Sequence, residues 1–494
     1  MITAYFRFED RSTMPLPSQL ILFIAALVIA LSSSGDAVLQ AYTPASAESC
    51  SIDDDTPMTR HTVAADIDYT NRRVSVQQRV RYVNRTDDYL PNIVLNVEAN
   101  RWRDTFFLEQ VNGGAETMTY SLEAKRLSIS LAEPLPPGCE IVLQLVFRLD
   151  MPLIGHRSSG YKGFFGYTNR QMNLGHWLPT VAPYRDGQWI SHQAIIIGEQ
   201  EVMEMANWDV TVSLLPPGND ITIAGPGTVT RISPSMWRYT LPNAREFPLT
   251  LSHEYVLSEA QTAGGVDVEL YTFPEALTSG AAEHALEAAV QALEYYAGLW
   301  GEYPYERMLV VVGDFPDGME FTGLVFVGAN WFSGYNGNPR GYLLLITVHE
   351  VSHQWFYALV GSDQALHPWL DEAIATYSEH IFLEEYYPDL TEWWWNFRVM
   401  RYDLSDDVDR TVYEYDNQRS YINAAYLRAA QMLHDVRADL DDDGFFQLLA
   451  DHAEVNAGII ATPDDFWTLL TAEQLEQTED TRRRYLRDPG PVGE

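Results

Sequence analysis

The segment from His349 to Glu372, HEVSHQWFYALVGSDQALHPWLDE, constrains the fold more than any other part of the chain. Histidines four residues apart lie one turn apart on one helix face, so both imidazoles can reach one ion. Glu372 follows His353 by nineteen positions, and Gly361 and Pro368 let the chain turn back between two helices. A catalytic zinc ion takes three protein ligands and one open position. The spacing therefore predicts two facing helices that hold one Zn²⁺ through His349, His353 and Glu372.

The residues around these ligands predict a buried hydrolytic site. The stretch TVHEVSHQWFYALV is apolar enough for a buried helix, and WLDEAIATYSEH indicates a second helix with acidic residues in its first turn. Buried histidine and glutamate side chains need a partner, which a metal ion supplies. Glu350 lies beside the ligands without being one, which is the position of the general base in H-E-x-x-H metallohydrolases.

Glu379 is a candidate for orienting one of the zinc histidines. It lies seven residues after Glu372, two turns along the same face of the predicted helix. Ligating imidazoles usually donate their second ring N–H to a carboxylate or a carbonyl. An exposed helix carboxylate is the alternative interpretation.

The length and the hydrophobic pattern predict several domains. A chain of 494 residues is too long for one hydrophobic core. Short alternating strands with turn residues between them indicate an all-β sandwich or saddle domain without chemical groups, followed by strands alternating with helices. The predicted parts are an export segment (1–47), the β domain (48–258), an α/β catalytic domain (259–395), its small helical region (396–475) and a disordered tail (476–494).

Charge and targeting signals bear on partners and location. A net charge of −37 argues against nucleic acid or an anionic membrane surface as a partner. The apolar run Leu20–Leu31 is short for a spanning helix, and the A-x-A pattern at 45–47 follows it. The sequence therefore predicts export, with an uncleaved N-terminal anchor as the alternative. The two cysteines, Cys50 and Cys139, can pair in an oxidising compartment, and the sequence leaves the pairing open.

Several segments resemble the gluzincin aminopeptidases, the family of aminopeptidase N and leukotriene hydrolase. The first is the spacing of H-E-x-x-H followed by eighteen residues and then a glutamate. The others are the segments HQWF, WLDEAIATYSE, GEYPY from Gly301 and GHWLPTVAPY from Gly175. The resemblance covers roughly residues 60–470 and implies a β-saddle domain, a thermolysin-like α/β catalytic domain and one Zn²⁺ per chain. It also implies a peptide substrate that loses its N-terminal residues. The large C-terminal helical domain of many members has no counterpart after Tyr426, which implies a more open cleft.

The stretch DGMEFTGL resembles the family's G-A-M-E-N segment. The resemblance implies that Glu320 holds the substrate's free amine and that the backbone of Gly318 and Met319 pairs with the peptide. This sequence departs from the pattern at Asp317 and Phe321, which leaves the strictness of the amine requirement open. A loop carboxylate without a substrate role is the alternative for Glu320.

The stretch beginning YLRAA resembles the family's Y-E-K-G-A segment. The resemblance implies that Tyr426 donates a hydrogen bond to the developing oxyanion. Arg428 and Ala429 stand in place of the family's lysine and glycine, and Tyr421 is a competing candidate. A core tyrosine is the alternative interpretation of Tyr426.

Three functions remain open at this stage. The first is a zinc aminopeptidase, and the second is a zinc endopeptidase or non-peptide hydrolase on the same fold. The third is a non-catalytic surface protein. The presence of Glu350 argues against the third, because a scaffold has no use for a general base beside three ligands.

Overall fold

Alternating apolar and polar residues form the strands of the N-terminal half. In β1 (Arg60–Asp68) and β2 (Arg73–Val83) every second residue is buried, as expected where one sheet face covers a core. The computed structural model describes residues 50, 58–114, 116–155, 163–217 and 220–491. The predicted export segment 1–47 lies outside the described residues.

The N-terminal half is built from three main sheets. Its further strands are β3 (Leu90–Asn96), β4 (Phe106–Gly113), β5 (Glu116–Thr117), β6 (Tyr120–Glu123), β7 (Arg126–Leu135), β8 (Glu140–Asp150), β9 (Phe165–Tyr167), β10 (Met172–Leu174), β11 (Thr180–Val181), β12 (Tyr184–Arg185), β13 (Gln188–Trp189), β14 (Ala206–Leu215), β15 (Thr222–Ala224), β16 (Thr228–Ser233), β17 (Met236–Ala244) and β18 (Leu249–Ser252). An eight-stranded sheet has the order β16-β17-β14-β1-β2-β8-β4-β5, and two four-stranded sheets have the orders β15-β18-β10-β9 and β11-β3-β7-β6.

The α/β half begins with a five-stranded mixed sheet. Its strands are β19 (Val256–Gln261), β20 (Asp267–Thr272), β21 (Arg307–Gly313), β22 (Gly318–Phe321) and β23 (Leu324–Gly328), in the order β19-β20-β21-β23-β22. Parallel pairing of β20 with β21 requires a crossover, which α2 (Ala281–Trp300) supplies. Small alanines at helical spacing cover its buried face and let it pack closely. The antiparallel pairing of β22 with β23 leaves β22 at the edge of this sheet.

Helices make up most of the remaining chain. They are α1 (Pro274–Thr278), α3 (Ala329–Gly334), α4 (Tyr342–Ser352), α5 (Trp369–Tyr386), α6 (Thr391–Trp394), α7 (Gln418–Tyr421), α8 (Ala429–Val455, kinked at Asp441), α9 (Pro463–Trp467), α10 (Ala472–Gln477) and α11 (Glu479–Tyr485). Short 3₁₀ turns lie at Glu98–Arg101, Pro388–Leu390 and Val412–Glu414, π-helical turns at Trp395–Val399 and Ile422–Arg428, and a two-stranded pairing joins β24 (Gly361–Ser362) to β25 (Ile460–Ala461). Both α4 and α5 are buried nearly all round, as expected of core helices.

A buried arginine links the β-rich half to the α/β half. Arg245 donates hydrogen bonds to the carbonyls of Tyr357, Leu359 and Ile459, at 2.5, 3.1 and 2.9 Å. Its neighbour Glu246 accepts from the Tyr357 hydroxyl at 2.7 Å. Unpaired buried polar groups are costly, so these bonds fix the β-rich half against the segment that follows α4.

The structure confirms the predicted fold class and corrects one boundary. The all-β half, the α/β half and the helical region occur in the predicted order, while the boundaries at 258 and 395 stay predictions. The prediction of a disordered tail from 476 is wrong for 476–491. Helix α11 is ordered because Arg482 and Tyr485 are buried in the helical region, which the charged sequence TEDTRRRY did not indicate.

The structure also pairs the two cysteines. Cys50 and Cys139 form a disulfide with a Cα–Cα distance of 5.1 Å. It ties Cys50 to the turn before β8, across 89 positions of the chain. The question that the sequence left open is thus answered in favour of pairing.

Candidate metal centre and active site

Helices α4 and α5 bring the three predicted zinc ligands together. His349 Nε2 lies 3.4 Å and His353 Nε2 lies 3.7 Å from Glu372 Oε2. The sequence predicts that His353 lies inside a helix. In the structure α4 ends at Ser352, so His353 is its C-cap residue. The backbone of His353 is still helical, with φ −63° and ψ −10°, and this conformation keeps both imidazoles on one side.

The arrangement of these atoms fits one zinc ion. In a tetrahedral site with bonds near 2.0–2.1 Å, ligand atoms lie about 3.3 Å apart. The two observed separations come close to that value, and one ligand atom from each of the three residues lies within 4.8 Å of the others. Glu372 Oε2 is buried, and no group among the described residues donates a hydrogen bond to it. A buried carboxylate oxygen with no donor is costly, and a cation at this point would remove the cost.

The second ring nitrogen of each histidine lies beside a carboxylate, and that of His353 is hydrogen-bonded to a backbone carbonyl. His349 Nδ1 lies 3.2 Å from Glu379 Oε1, and His353 Nδ1 lies 2.7 Å from Asp371 Oδ1. His353 Nδ1 also lies 3.0 Å from the Phe356 carbonyl. These acceptors favour the tautomer with the proton on Nδ1, which leaves each Nε2 lone pair for a metal. Asp371 is a functional residue that the sequence reasoning did not single out, although it directly precedes a ligand.

The structure places Glu379 where the sequence predicted it, beside a zinc histidine, and adds its other partners. The Arg398 guanidinium donates to Glu379 Oε1 at 2.9 Å, and the Trp394 indole donates to Oε2 at 2.8 Å. Burial alone would raise the pKa of the Glu379 carboxyl, but the charge of Arg398 and the bond to His349 outweigh it and lower the pKa to about 2. Glu379 is therefore an ionised, fully buried carboxylate.

Glu379→Gln is expected to destabilise the fold in a pH-dependent way. Because the folded pKa of Glu379 lies below its unfolded value of 4.5, its stabilisation is complete above pH 4.5 and is lost as the pH falls toward 2. The shift corresponds to roughly 3 kcal/mol in the free energy of unfolding. Urea unfolding of the zinc-free variant at pH 7 should show this loss, and the gap to the wild type should narrow between pH 4.5 and 3. The exposed Glu473→Gln is the matched control, and equal stability of Glu379→Gln and wild type at pH 7 would contradict the expectation.

Glu350, the predicted general base, packs directly on the edge strand. A Cβ atom added to Gly318 would lie 2.0 Å from Glu350 Oε1, so the carboxylate occupies the space that a side chain would need. Burial raises the pKa of Glu350 to about 8, and the nearby histidines oppose this rise. A bound cation favours the ionised form that a base requires.

Tyr426 contacts the predicted ligand Glu372, and Tyr421 packs against Tyr426. The Tyr426 hydroxyl donates a hydrogen bond to Glu372 Oε1. The Tyr426 ring is parallel to the His349 ring, with centroids 6.2 Å apart, and it makes an edge-to-face contact with the Tyr421 ring, with centroids 5.5 Å apart. Burial, followed by the Glu372 charge, raises the pKa of Tyr426 well above its ordinary value, so its hydroxyl stays a proton donor.

Glu320 lies on β22, two residues along from Gly318. Residues two apart on a strand share one face and lie about 6.6 Å from each other. Gly318 faces Glu350, so Glu320 lies on the same strand face two residues further along. Burial raises the pKa of Glu320 well above its ordinary value, and the charge of Glu199 adds to the effect. Met319, the residue between, is buried in the core.

Glu199 belongs to the β-rich half, where the sequence had indicated no chemical group. Its carboxylate Oε2 lies 3.4 Å from Gln364 Nε2, and the same nitrogen lies 3.3 Å from Glu320 Oε1. The loop that carries Glu199 is anchored by Arg101, which donates to the Ile195 carbonyl at 2.9 Å and to Glu201. No periodicity or motif marks a loop carboxylate of this kind, because its position depends on how the two halves pack.

Comparisons with known proteins agree with this geometry. Residues 284–483 match the Peptidase family M1 domain. The chain is 25% identical over 249 residues to "Aminopeptidase M1-B" of Oryza sativa subsp. japonica and 25% identical over 277 residues to "Aminopeptidase N" of Haemonchus contortus. These matches cover 47% and 53% of this chain but only 28% and 27% of the relatives. The chain thus spans little more than a quarter of the length of the curated relatives it matches.

A solved structure is similar over nearly the whole chain. The M1 zinc metallopeptidase of Deinococcus radiodurans superposes with a TM-score of 0.62 at 18% sequence identity, covering 89% of this chain and 96% of that one. At this identity the likeness establishes the fold, which is that of a two-domain M1 peptidase. Residues 284–483 are therefore similar to a peptidase family M1 domain, and the predicted zinc ligands lie within this matched segment.

Proposed function

We propose that this protein is a zinc aminopeptidase, which hydrolyses the peptide bond next to a free N-terminus. The observation that carries the proposal is the placement of Glu320 on the same strand face as Gly318. A substrate lying along the edge strand β22 would present its carbonyl near Glu350 and its α-ammonium near Glu320. Glu199 adds a second carboxylate at the same point.

The residues of the chain divide the reaction between them. Zinc held by His349, His353 and Glu372 would polarise the substrate carbonyl and acidify the attacking water. Glu350 accepts the proton of that water and passes it to the leaving amine. The Tyr426 hydroxyl, freed from Glu372 by a small rotation, donates to the developing oxyanion.

Glu320→Gln tests the amine requirement. Losing the charge that faces the α-ammonium should lower kcat/KM on an aminoacyl 4-nitroanilide by about 100-fold. The N-acetylated counterpart, which has no ammonium, should be affected far less. The exposed Glu302→Gln is the matched control, and zinc per chain is measured alongside.

Two outcomes of that experiment would overturn the proposal. Equal losses on free and blocked substrates would favour a zinc endopeptidase or a non-peptide hydrolase. A wild-type protein that binds zinc but hydrolyses no member of a broad substrate panel would favour a non-catalytic surface role.

We also propose that the protein is exported. The apolar run Leu20–Leu31 motivates the idea, and the disulfide Cys50–Cys139 supports it because such bonds persist in oxidising compartments. Within the described residues, no helix is both long and apolar enough to cross a membrane. Recovery of the protein only from the cytoplasm, with both thiols reduced and alkylatable, would argue against export.

A further inference from the structure

Gln364 brings one amide nitrogen close to three carboxylates, of which Asp371 and Glu320 are buried and Glu199 is half-buried. Its Nε2 lies 2.7 Å from Asp371 Oδ2, 3.3 Å from Glu320 Oε1 and 3.4 Å from Glu199 Oε2. The Gln364 side chain is itself buried, and it lies on the loop between α4 and α5. The three acids come from different parts of the fold: a helix, an edge strand and a loop of the β-rich half.

The chemistry of the amide fixes its orientation. If the amide were flipped, its oxygen would face three carboxylates, and an amide oxygen cannot donate a hydrogen bond to them. The orientation with Nε2 toward the carboxylates is therefore the favourable one. That nitrogen carries two hydrogens for three acceptors. The short contact to Asp371 is a committed hydrogen bond, while the two longer contacts share the second hydrogen. Glu320 and Glu199 are therefore held together, and each carboxyl group keeps oxygen lone pairs that can accept from a further donor.

We propose that Gln364 is the positioning residue that gives this cleft its selectivity for a positively charged amine. It is anchored through Asp371, which lies against the zinc ligand His353, and it holds Glu320 and Glu199 as a pair without neutralising them. A primary α-ammonium can donate to both carboxylates of this pair, and its positive charge favours their ionised forms. This inference rests on the proposed aminopeptidase function and extends it to a residue outside the motifs that carry the resemblance.

The Gln364 side chain must be neutral, because a cation at this position would pair with Glu320 and Glu199 in place of the substrate's ammonium. Gln364→Lys should keep a donor for Asp371 but place an ammonium between Glu320 and Glu199. Gln364→Met has similar length and removes the donors without adding charge. The two variants should therefore both weaken amine binding, and lysine should do so more strongly. Gln447→Met, the same change on an exposed helix position, is the matched control.

The test compares two zinc-directed inhibitors that differ only at the amine. L-Leucine hydroxamate carries a free ammonium, and N-acetyl-L-leucine hydroxamate does not. Calorimetry on the zinc-loaded full chain gives the ratio of their dissociation constants, which isolates the contribution of the amine pocket. A general defect in folding or in zinc binding would weaken both inhibitors and leave this ratio unchanged.

The wild type should bind the free-amine inhibitor about 100-fold more tightly than the acetylated one. Gln364→Met should reduce that ratio about tenfold and Gln364→Lys should bring it near one, with Gln447→Met unchanged. A large wild-type ratio that survives both substitutions at Gln364 would overturn this inference alone. A wild-type ratio near one would instead overturn the proposed amine anchor. If the methionine variant does not fold, the lysine variant decides the question by itself.

Discussion

Glu350→Gln is expected to abolish turnover while leaving the metal in place. Glutamine has nearly the same shape, so it fits against Gly318 as glutamate does. It cannot accept the proton of the attacking water, and a positioned general base contributes about 10²–10⁴-fold to the rate. We expect kcat to fall by about 10³-fold or more on a free-amine substrate, within that range.

Zinc analysis of the same preparation separates the base role from a ligand role. His349, His353 and Glu372 are untouched by the change, so one zinc per chain should remain. The exposed Glu283→Gln on α2 is the matched control and should behave as wild type. Full activity of Glu350→Gln would refute the assignment, and loss of zinc along with activity would make Glu350 part of the metal site instead.

Gly318→Ala is the second change with a large expected effect, although it touches neither a ligand nor the base. The added Cβ would lie 2.0 Å from Oε1 and 2.5 Å from Cδ of Glu350, well inside van der Waals contact. The Glu350 carboxylate must therefore move by about 1 Å, and a misplacement of that size costs on the order of 100-fold in rate. The φ angle of Gly318 lies outside the left-handed region, so alanine is compatible with the backbone there. The strain of Gly318→Ala therefore comes from the contact with Glu350.

The control and the double variant make the mechanism of that loss testable. Gly298→Ala, in α2, has no atom within 4 Å of the added carbon and should leave kcat within about twofold of wild type. Gly318→Ala placed in the Glu350→Gln background should cost little more than Glu350→Gln alone, because both changes act through one carboxylate. Losses that simply multiply would show that Gly318 acts by another route, such as direct contact with substrate.

The proposed amine pocket is built from both halves of the molecule. Glu320 comes from the edge strand and Glu199 from the β-rich half, while Gln364 bridges them. Arg245 fixes the interface beside them through carbonyls on both sides. A peptidase of this design would depend on its β-rich half for substrate binding as well as for stability.

The sequence was enough for the metal centre because local spacing dictates its geometry. The spacing of His349 and His353 follows from helix pitch, and Glu379 lies two turns beyond Glu372 for the same reason. The order of β, α/β and helical segments also followed from periodicity. The helix end at Ser352 was missed, since capping details depend on the packing of the following residues.

The residues of the proposed amine pocket and the order of the C-terminal segment are visible only in the tertiary structure. Glu199 and Gln364 lie 165 positions apart and follow no pattern, and their contact exists because the two halves dock. The last helix is ordered because Tyr485 and Arg482 are buried, which the charged sequence of this segment does not indicate. Periodicity and spacing report on one element at a time, so the sequence by itself was enough to predict the zinc ligands and the base. Contacts between distant segments depend on the tertiary structure, which alone showed that Glu199 and Gln364 lie beside Glu320.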